Sequence, residues 1–249
     1  MPEICQNHLS DAPWLSAKTR GLPGVQPLDM NDWLQFDDAY EAQLSERSRL
    51  LSMRQDQVLQ RLPDAGAAEE ELARFVDAQL SRLGVPGLDS SEPDPLKRIA
   101  GRVVEDMCLL EKRGDEHVLI SALLCFPANW RLAEKLGRPL SAIHAPVKPY
   151  TQDMARRVQR LFDAVKVGRP LWRANALRYA TPDLFQPDRH VAQSDVPVGT
   201  GYLRSERQSV LRLPETGAVV FSIHTRLVRM GDLSAEQSEG LMTHPVGHV

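Results

Sequence analysis

A short polar row in the C-terminal half contains residue types suited to binding a small charged ligand. Arg204, Glu206 and Gln208 alternate along a strand-like segment and therefore share one face of the strand, whereas Arg207 lies on the other face. A guanidinium, a carboxylate and an amide in one row can bind a small polar molecule or the carboxylates of a larger ligand. The alternative interpretation is a cross-strand ion-pair ladder at a sheet edge.

A second strand-like segment, Trp172 to Asn175, places Arg173 and Asn175 on one face. These two side chains can add hydrogen-bond donors to the site that contains Glu206. The alternative is ordinary polarity on a solvated strand face.

His144 lies between Ile143 and the proline-stiffened Ala145-Pro146 turn. A neutral imidazole held in a fixed direction by an apolar wall is what a haem iron requires as an axial ligand. The alternative is a hydrogen-bonded core histidine. A thiolate is the other strong haem ligand, but Cys125, which ends an apolar strand, is more simply a small buried apolar residue. His190 and His224 are reserve ligands, and surface positions are expected for the remaining histidines, which are His8, His117, His244 and His248.

Composition excludes several classes of function. The 249 residues include 30 Lys and Arg against 33 Asp and Glu, for a net charge of −3, so nucleic acid is not the expected partner. No apolar run approaches the ~20 residues of a membrane-spanning helix, and the first residues lack the features of a secretory signal, so a cytoplasmic location without membrane attachment is expected. The three cysteines form neither C-x-x-C nor C-x-x-C-H, which excludes covalent haem attachment through such a motif.

The pattern of apolar residues predicts an α+β fold built on a five-stranded antiparallel sheet, with helices between the second and third strands. The N-terminal part is helical, with a helix from Tyr40 to Leu62 and a second helix that ends at Gly84. An amphipathic helix is expected over Tyr150 to Val167. The strands are predicted at Met107–Glu111, Val118–Phe126, Leu171–Tyr179, Tyr202–Leu213 and Ala218–Met230.

This pattern divides the chain into three predicted parts. Residues 1–95 form an N-terminal helical region, which a segment rich in Gly, Pro, Ser and Asp separates from the rest. Residues 96–230 contain the sheet, and residues 231–249 are expected to be a flexible tail.

Several separated motifs together resemble the haem-dependent oxidative N-demethylase family, formerly catalogued as a domain of unknown function. The resemblance covers about Met107 to Met230 and is weaker at Gly21–Gly24 and near Leu28. The matching runs are Cys125-Phe-Pro-x-x-Trp-Arg-Leu-Ala-Glu-Lys-Leu-Gly137-Arg-Pro-Leu, Ile143-His-Ala-Pro-Val147, Trp172-Arg-x-Asn175, Arg204-x-Glu-Arg-Gln208 and Arg212-Leu-Pro-x-Thr-Gly217.

The resemblance implies a PAS-like domain that holds non-covalent haem b and demethylates a small secondary amine such as dimethylamine. It also implies the use of dioxygen and of electrons from a flavin and iron–sulfur reductase partner, with the released formaldehyde passed to tetrahydrofolate chemistry on another subunit. On this basis His144 becomes the expected iron ligand, and Arg173, Arg204 and Gln208 become cofactor-binding residues. The expected catalytic residues are Glu206, Arg207 and Asn175.

One run departs from the family pattern. Where Trp-Arg-x-Asn is typically followed by Trp and a His-Asp-Asp type run, this chain has Ala176 to Pro182 without the aromatic residue or the acidic pair. A wall of the expected pocket is therefore changed. Two alternatives to the enzyme remain, a haem or small-ligand sensor or binding module without demethylase activity, and a structural subunit without a cofactor.

Overall fold

The computed structural model describes residues 3–21, 24–144, 152–188 and 199–246, with only the backbone of residues 144 and 152–155. The helices of this part are α1 (Ala17–Arg20), α2 (Tyr40–Val58), α3 (Gly66–Arg82), α4 (Pro95–Ala100), α5 (Leu140–His144), α6 (Gln152–Ala164) and α7 (Ala235–Thr243). The strands are β1 (Gln26–Pro27), β2 (Leu59–Arg61), β3 (Asp106–Arg113), β4 (Glu116–Leu123), β5 (Leu171–Tyr179), β6 (Tyr202–Arg212) and β7 (Val219–Arg229).

All strands form one antiparallel sheet in the order β1-β5-β6-β7-β3-β4-β2. The predicted α+β class is therefore confirmed, but the described sheet has seven strands where five were expected. The two additional strands, β1 and β2, have two and three residues and pair with the edges of β5 and β4. Segments this short carry no alternating pattern, and their extended form depends on the edge that they cover.

The five long strands lie close to their predicted positions. Alternation of side chains located them, and their two hairpin turns use glycines in the left-handed region, Gly114 at φ 63° and Gly217 at φ 72°. The helix predicted from Tyr40 to Leu62 was too long. The chain leaves the helix after Val58, because Leu59 to Arg61 pair with β4 as strand β2.

Helices cover both faces of the sheet. On one face, which we call the α6 face, helices α5 and α6 pack on the sheet. Their side chains Leu140, Ile143, Val158 and Phe162 form one apolar core with residues of β3, β4, β6 and β7. On the opposite face, residues of α2, α3 and α4 form the larger core with Met107, Leu109, Leu211 and Val220.

One arginine ties α6 to the sheet. Arg212, at the end of β6, donates to the carbonyl oxygens of Phe162 at 2.7 Å and Val165 at 2.8 Å, and to Gly217 at 2.7 Å. The Phe162 and Val165 carbonyls lie at the carboxyl end of α6, where the helix dipole also favours a cation. The position of α6 over the sheet is therefore fixed at this end.

The N-terminal helices share one core with the sheet, so the boundaries proposed at residues 95 and 230 stay predictions. Beyond residue 230 the chain forms α7, which begins with a capping box between Ser234 and Gln237. The buried Trp14 indole donates to the Gln237 carbonyl at 3.0 Å, which holds this helix against the N-terminal segment. Across the described ranges, no helix has the length and apolar character needed to cross a membrane.

Candidate functional site

Five of the side chains predicted from the sequence meet on the α6 face of the sheet. In the pairing of β5 with β6, Arg173 stands opposite Gln208 and Asn175 opposite Glu206, with Arg204 two residues along β6. All five side chains point to the same face because side-chain direction alternates along each strand. We call this group the Glu206 cluster; it contains Arg173, Asn175, Arg204, Glu206 and Gln208.

Glu206 is the acceptor at the centre of the cluster and is only 8% exposed. Its carboxylate accepts hydrogen bonds from Asn175 Nδ2 at 3.2 Å and Gln208 Nε2 at 3.0 Å, and from Arg204 Nε at 3.3 Å. Three donors around one buried carboxylate fix its orientation. The arrangement can therefore present a negative charge of fixed direction to a small cation.

Arg204 connects the cluster to two loops. Its guanidinium is 1% exposed, donates to the Leu184 carbonyl at 3.0 Å and also bonds to the Phe126 carbonyl. The ring of Tyr179 lies 5.7 Å from the guanidinium carbon. Arg204 thus holds the segments that follow β4 and β5 beside the cluster.

Arg173 is a half-buried cation with few partners. Its one hydrogen bond within the described residues goes to Gln208 Oε1 at 3.3 Å, and its buried Nε atom has no partner there. Burial lowers the pKa of the Arg173 guanidinium, and the charge of Glu206 only partly opposes this effect. An anionic ligand group beside Arg173 would supply the missing partner.

A cavity of about 420 Å³ adjoins the cluster at the edge of β5, beyond the two residues that pair with β1. A volume of this size lies within the range of small-molecule sites. Arg173 and Asn175 line it from the sheet, and Trp14, Arg20 and His244 line it from the N-terminal segment and from the end of α7. The two termini therefore help to form the wall of the candidate site.

Arg207 does not join the cluster. It projects to the opposite face, where its guanidinium contacts Asp11 Oδ1 at 3.2 Å and lies 3.8 Å from the centre of the Trp172 ring. Arg226 contacts the same carboxyl group at 2.6 Å. Arg207 therefore helps to hold the N-terminal segment on the sheet.

The position of the predicted iron ligand is only partly described. Helix α5 packs on the α6 face through Leu140 and Ile143 and ends at His144, but the His144 side chain lies outside the described residues. His190 and the Ala145-Pro146 turn also lie outside them. The assignment of His144 therefore stays a prediction.

The described residues contain no group of three or more side chains suited to holding a metal ion. A haem iron takes only one or two protein ligands, so this finding does not bear on haem. Burial raises the pKa of the Cys125 thiol to about 12, so Cys125 is a protonated, buried thiol at neutral pH.

The expected surface position of His117 was wrong. Its side chain is fully buried beneath α6, where Gln159 Nε2 lies 2.9 Å from Nδ1 and Phe162 packs against the ring. Burial lowers the pKa of His117, although the nearby Asp163 carboxylate opposes this effect. The charged hairpin turn beside His117 gave no sign of the helix that covers it.

His224, a reserve ligand in the sequence, is bonded at both ring nitrogens. Nδ1 lies 3.1 Å from Glu105 and Nε2 lies 3.0 Å from Asp37, and the side chain is 1% exposed. Burial acts to lower the pKa of His224, but the two carboxylates outweigh it and raise the pKa. Its role in this structure is therefore to hold the N-terminal segment.

A pH-dependent stability follows from the raised pKa of His224. Its ion pairs stabilise the fold fully below the unfolded-state pKa of about 6.5, and this contribution is lost as pH rises through the folded-state pKa. We expect His224→Gln to lower the unfolding free energy by roughly 3 kcal/mol at pH 5.5, and by less at pH 8.5. Urea unfolding across this range measures the difference. The exposed His8→Gln is the control, and an equal loss at both pH values would contradict the prediction.

Two side chains near the cluster were not predicted from the sequence. Asn129 has a left-handed backbone with φ 61°, and its Nδ2 donates to the Tyr179 hydroxyl at 3.1 Å. An asparagine two residues after Pro127 is a turn signal that points to such a conformation. This contact joins the loop after β4 to β5, next to Arg204.

A comparison with models of known protein families identifies the family of this chain. The family model described as "Haem-dependent oxidative N-demethylase, alpha subunit-like" matches residues 24–83 and 79–244, which is most of the sequence. The chain belongs to this family. The resemblance read from the separated motifs is thereby confirmed, and the match includes the Glu206 cluster and His144. The name of the haem-dependent oxidative N-demethylase, alpha subunit-like family implies dependence on haem and the existence of other subunits.

The residues present fit the haem that this family name implies. The partnerless Nε of Arg173 calls for an anionic group, which the carboxylates of a haem can supply. The cluster also lies on the same sheet face as the apolar core beneath α5 and α6, so this face carries both polar and apolar side chains. Cofactor sites combine these two kinds of wall.

Proposed function

We propose that this chain is the haem-binding catalytic subunit of an oxidative N-demethylase that acts on a small secondary amine. The proposal rests on the Glu206 cluster, where a carboxylate that is 8% exposed accepts three hydrogen bonds beside an arginine short of partners. The overall reaction consumes the amine, dioxygen, two electrons and two protons. Its products are the demethylated amine, formaldehyde and water.

The cofactor is proposed to be non-covalent haem b, since the chain has no C-x-x-C-H motif. His144 would hold the haem iron, and Arg173, Arg204 and Gln208 would donate to the carboxylates of the haem. When bound, the haem supplies the activation of dioxygen. The five long strands in the order β5-β6-β7-β3-β4, with α5 and α6 inserted between β4 and β5, support the PAS-like domain expected from the resemblance.

Glu206 and Asn175 are the proposed substrate-binding and catalytic residues. A secondary amine is protonated at neutral pH, so a buried carboxylate favours its binding and can hold its proton at a carboxylate oxygen. The Asn175 amide orients that carboxylate at 3.2 Å. Arg207, on the opposite face, is proposed only to hold β6 in position through Asp11.

The other subunits implied by the family name are proposed to include a flavin and iron–sulfur reductase that delivers the electrons. Neither a nucleotide-binding glycine pattern nor a P-loop occurs in this sequence, which accords with a component that receives electrons.

The test is reconstitution of the full chain with haem, followed by turnover with a surrogate reductant. We expect a Soret band, and oxygen consumption with formaldehyde release that both depend on added dimethylamine. A Soret band without amine-dependent turnover would replace the enzyme with a haem-binding or sensor module, the alternative that the altered Ala176 to Pro182 run favours. Absence of a Soret band after supplementation would overturn the proposal.

A further inference from the structure

The outer surface of α6 and of the turn that follows it is strongly basic. We call this the basic surface, and its members are the exposed side chains of Arg156, Arg157, Arg160, Lys166 and Arg169. Residues 152–169, which are α6 and the turn after it, contain these five basic residues and two acidic residues, a net charge of +3 in a chain with a net charge of −3. A concentration of positive charge in an acidic protein requires an explanation.

The acidic group among the described side chains of α6, Asp163, does not neutralise the basic surface. Asp163 Oδ1 contacts Lys112 Nζ on β3 at 2.6 Å, so its charge is already balanced by a residue outside the group. Within the described part of the chain, Arg157, Arg160, Lys166 and Arg169 make no ion pair. These four charges therefore add in solution and create a positive field on this side of the molecule.

The basic surface lies on the helix that packs against α5, and α5 ends at His144, the proposed iron ligand. The inner side of α6 packs through Val158 and Phe162 on β3, β4 and the end of β6, on the same sheet face that carries the Glu206 cluster further along β6. A helix with its side chains is about 10–12 Å across. A protein bound to the outer side would be separated from that sheet face by little more than one helix.

We propose that the basic surface docks an acidic protein, namely the electron-donating subunit. This inference rests on the proposed function, since it assigns the donor a place on this chain. Complementary charge speeds association and orients the partner, and redox encounters of this kind have small interfaces that weaken as salt rises.

A membrane or a nucleic acid fits the basic surface less well. Binding in a membrane interface requires an apolar helix face that can insert among lipids, but the apolar face of α6 is already packed on the sheet. Val167, at 52% exposed, is the one large apolar side chain exposed on the described part of residues 156–169. Nucleic-acid binding domains are usually basic overall, whereas the pI here is about 6.2.

The experiment measures binding of the full chain to a plant-type [2Fe–2S] ferredoxin, an acidic redox protein, with basic cytochrome c as the opposite probe. Calorimetry at low salt is expected to show micromolar binding of ferredoxin and none of cytochrome c. The double variant Arg157→Glu with Arg160→Glu should weaken ferredoxin binding about tenfold or more. The matched control, Lys18→Glu with Arg82→Glu, makes the same charge change at exposed positions elsewhere and should bind normally.

Ferredoxin binding that is absent, or unchanged in the Arg157 and Arg160 variant, would overturn the docking proposal. A second result would also overturn it. In that case the unaltered chain binds anionic phosphatidylserine vesicles or DNA but not ferredoxin, and the Arg157 and Arg160 variant loses this binding. Because this assay needs neither haem nor turnover, its failure is distinct from the absence of a Soret band, which tests the proposed function.

Discussion

His144→Ala is expected to abolish the Soret band of the haem-supplemented protein or to shift it strongly. Loss of a side chain that only supports a metal ligand costs about 10–100-fold in affinity, so loss of the ligand itself should cost at least that much. Haem titration followed at the Soret maximum measures both the affinity and the type of ligation. The surrounding segment resembles the family over Ile143 to Val147, which makes this histidine the first to test.

The matched control is His8→Ala, which removes an exposed imidazole. It should leave haem affinity and the absorption spectrum as in the wild type. Far-ultraviolet circular dichroism checks that the His144 variant is folded. An unchanged spectrum in a folded His144→Ala protein would exclude this residue as the iron ligand.

Glu206→Gln is expected to lower amine-dependent formaldehyde release on the order of 10²-fold, with a raised KM for the amine. The substitution keeps the shape of the side chain but removes the charge that would bind an ammonium ion. It also places an amide group opposite the donors of Asn175 and Gln208, which approach at 3.2 and 3.0 Å. Steady-state kinetics with dimethylamine give the effect on kcat and KM separately.

The control for Glu206 is another buried carboxylate that accepts three hydrogen bonds but lies outside the cluster. Glu71, 2% exposed, accepts from the backbone of Glu215 and Thr216 and from the Thr216 hydroxyl at the turn after β6. Glu71→Gln should lower the unfolding free energy by roughly 2 kcal/mol while the folded enzyme keeps its KM. If Glu206→Gln lowers stability alone, with kcat and KM unchanged in the folded protein, then Glu206 is structural and the catalytic assignment fails.

The local pattern of the sequence was sufficient to predict the long strands and the members of the Glu206 cluster. Arg204, Glu206 and Gln208 share a face by alternation alone, and a correct alignment of β5 with β6 then brings Arg173 and Asn175 to them. The same alternation placed Arg207 on the opposite face, so only the resemblance had made it a catalytic residue. The hairpin turns at Gly114 and Gly217 were readable because each requires a positive φ.

Burial, edge pairing and ion-pair partners depended on contacts between distant parts of the chain. Arg207 meets Asp11 across 196 residues, and no periodicity connects residues so far apart. The three residues of β2 are extended because they pair with β4, in a segment whose apolar spacing continued a helix. His117 follows a charged turn, and only the packing of α6 removes it from water.

The sequence by itself determined the α+β class, the five long strands, the family and the residues that share one polar face. Each of these depends on alternation along the chain or on motifs that stay intact when the chain is unfolded. Tertiary structure alone decided that Glu206 is buried with three donors, that the Nε of Arg173 is left without a partner in the described residues, and that the outer surface of α6 is basic above that face. The physical reason is that loss of water and unbalanced charge arise only when separate segments pack together.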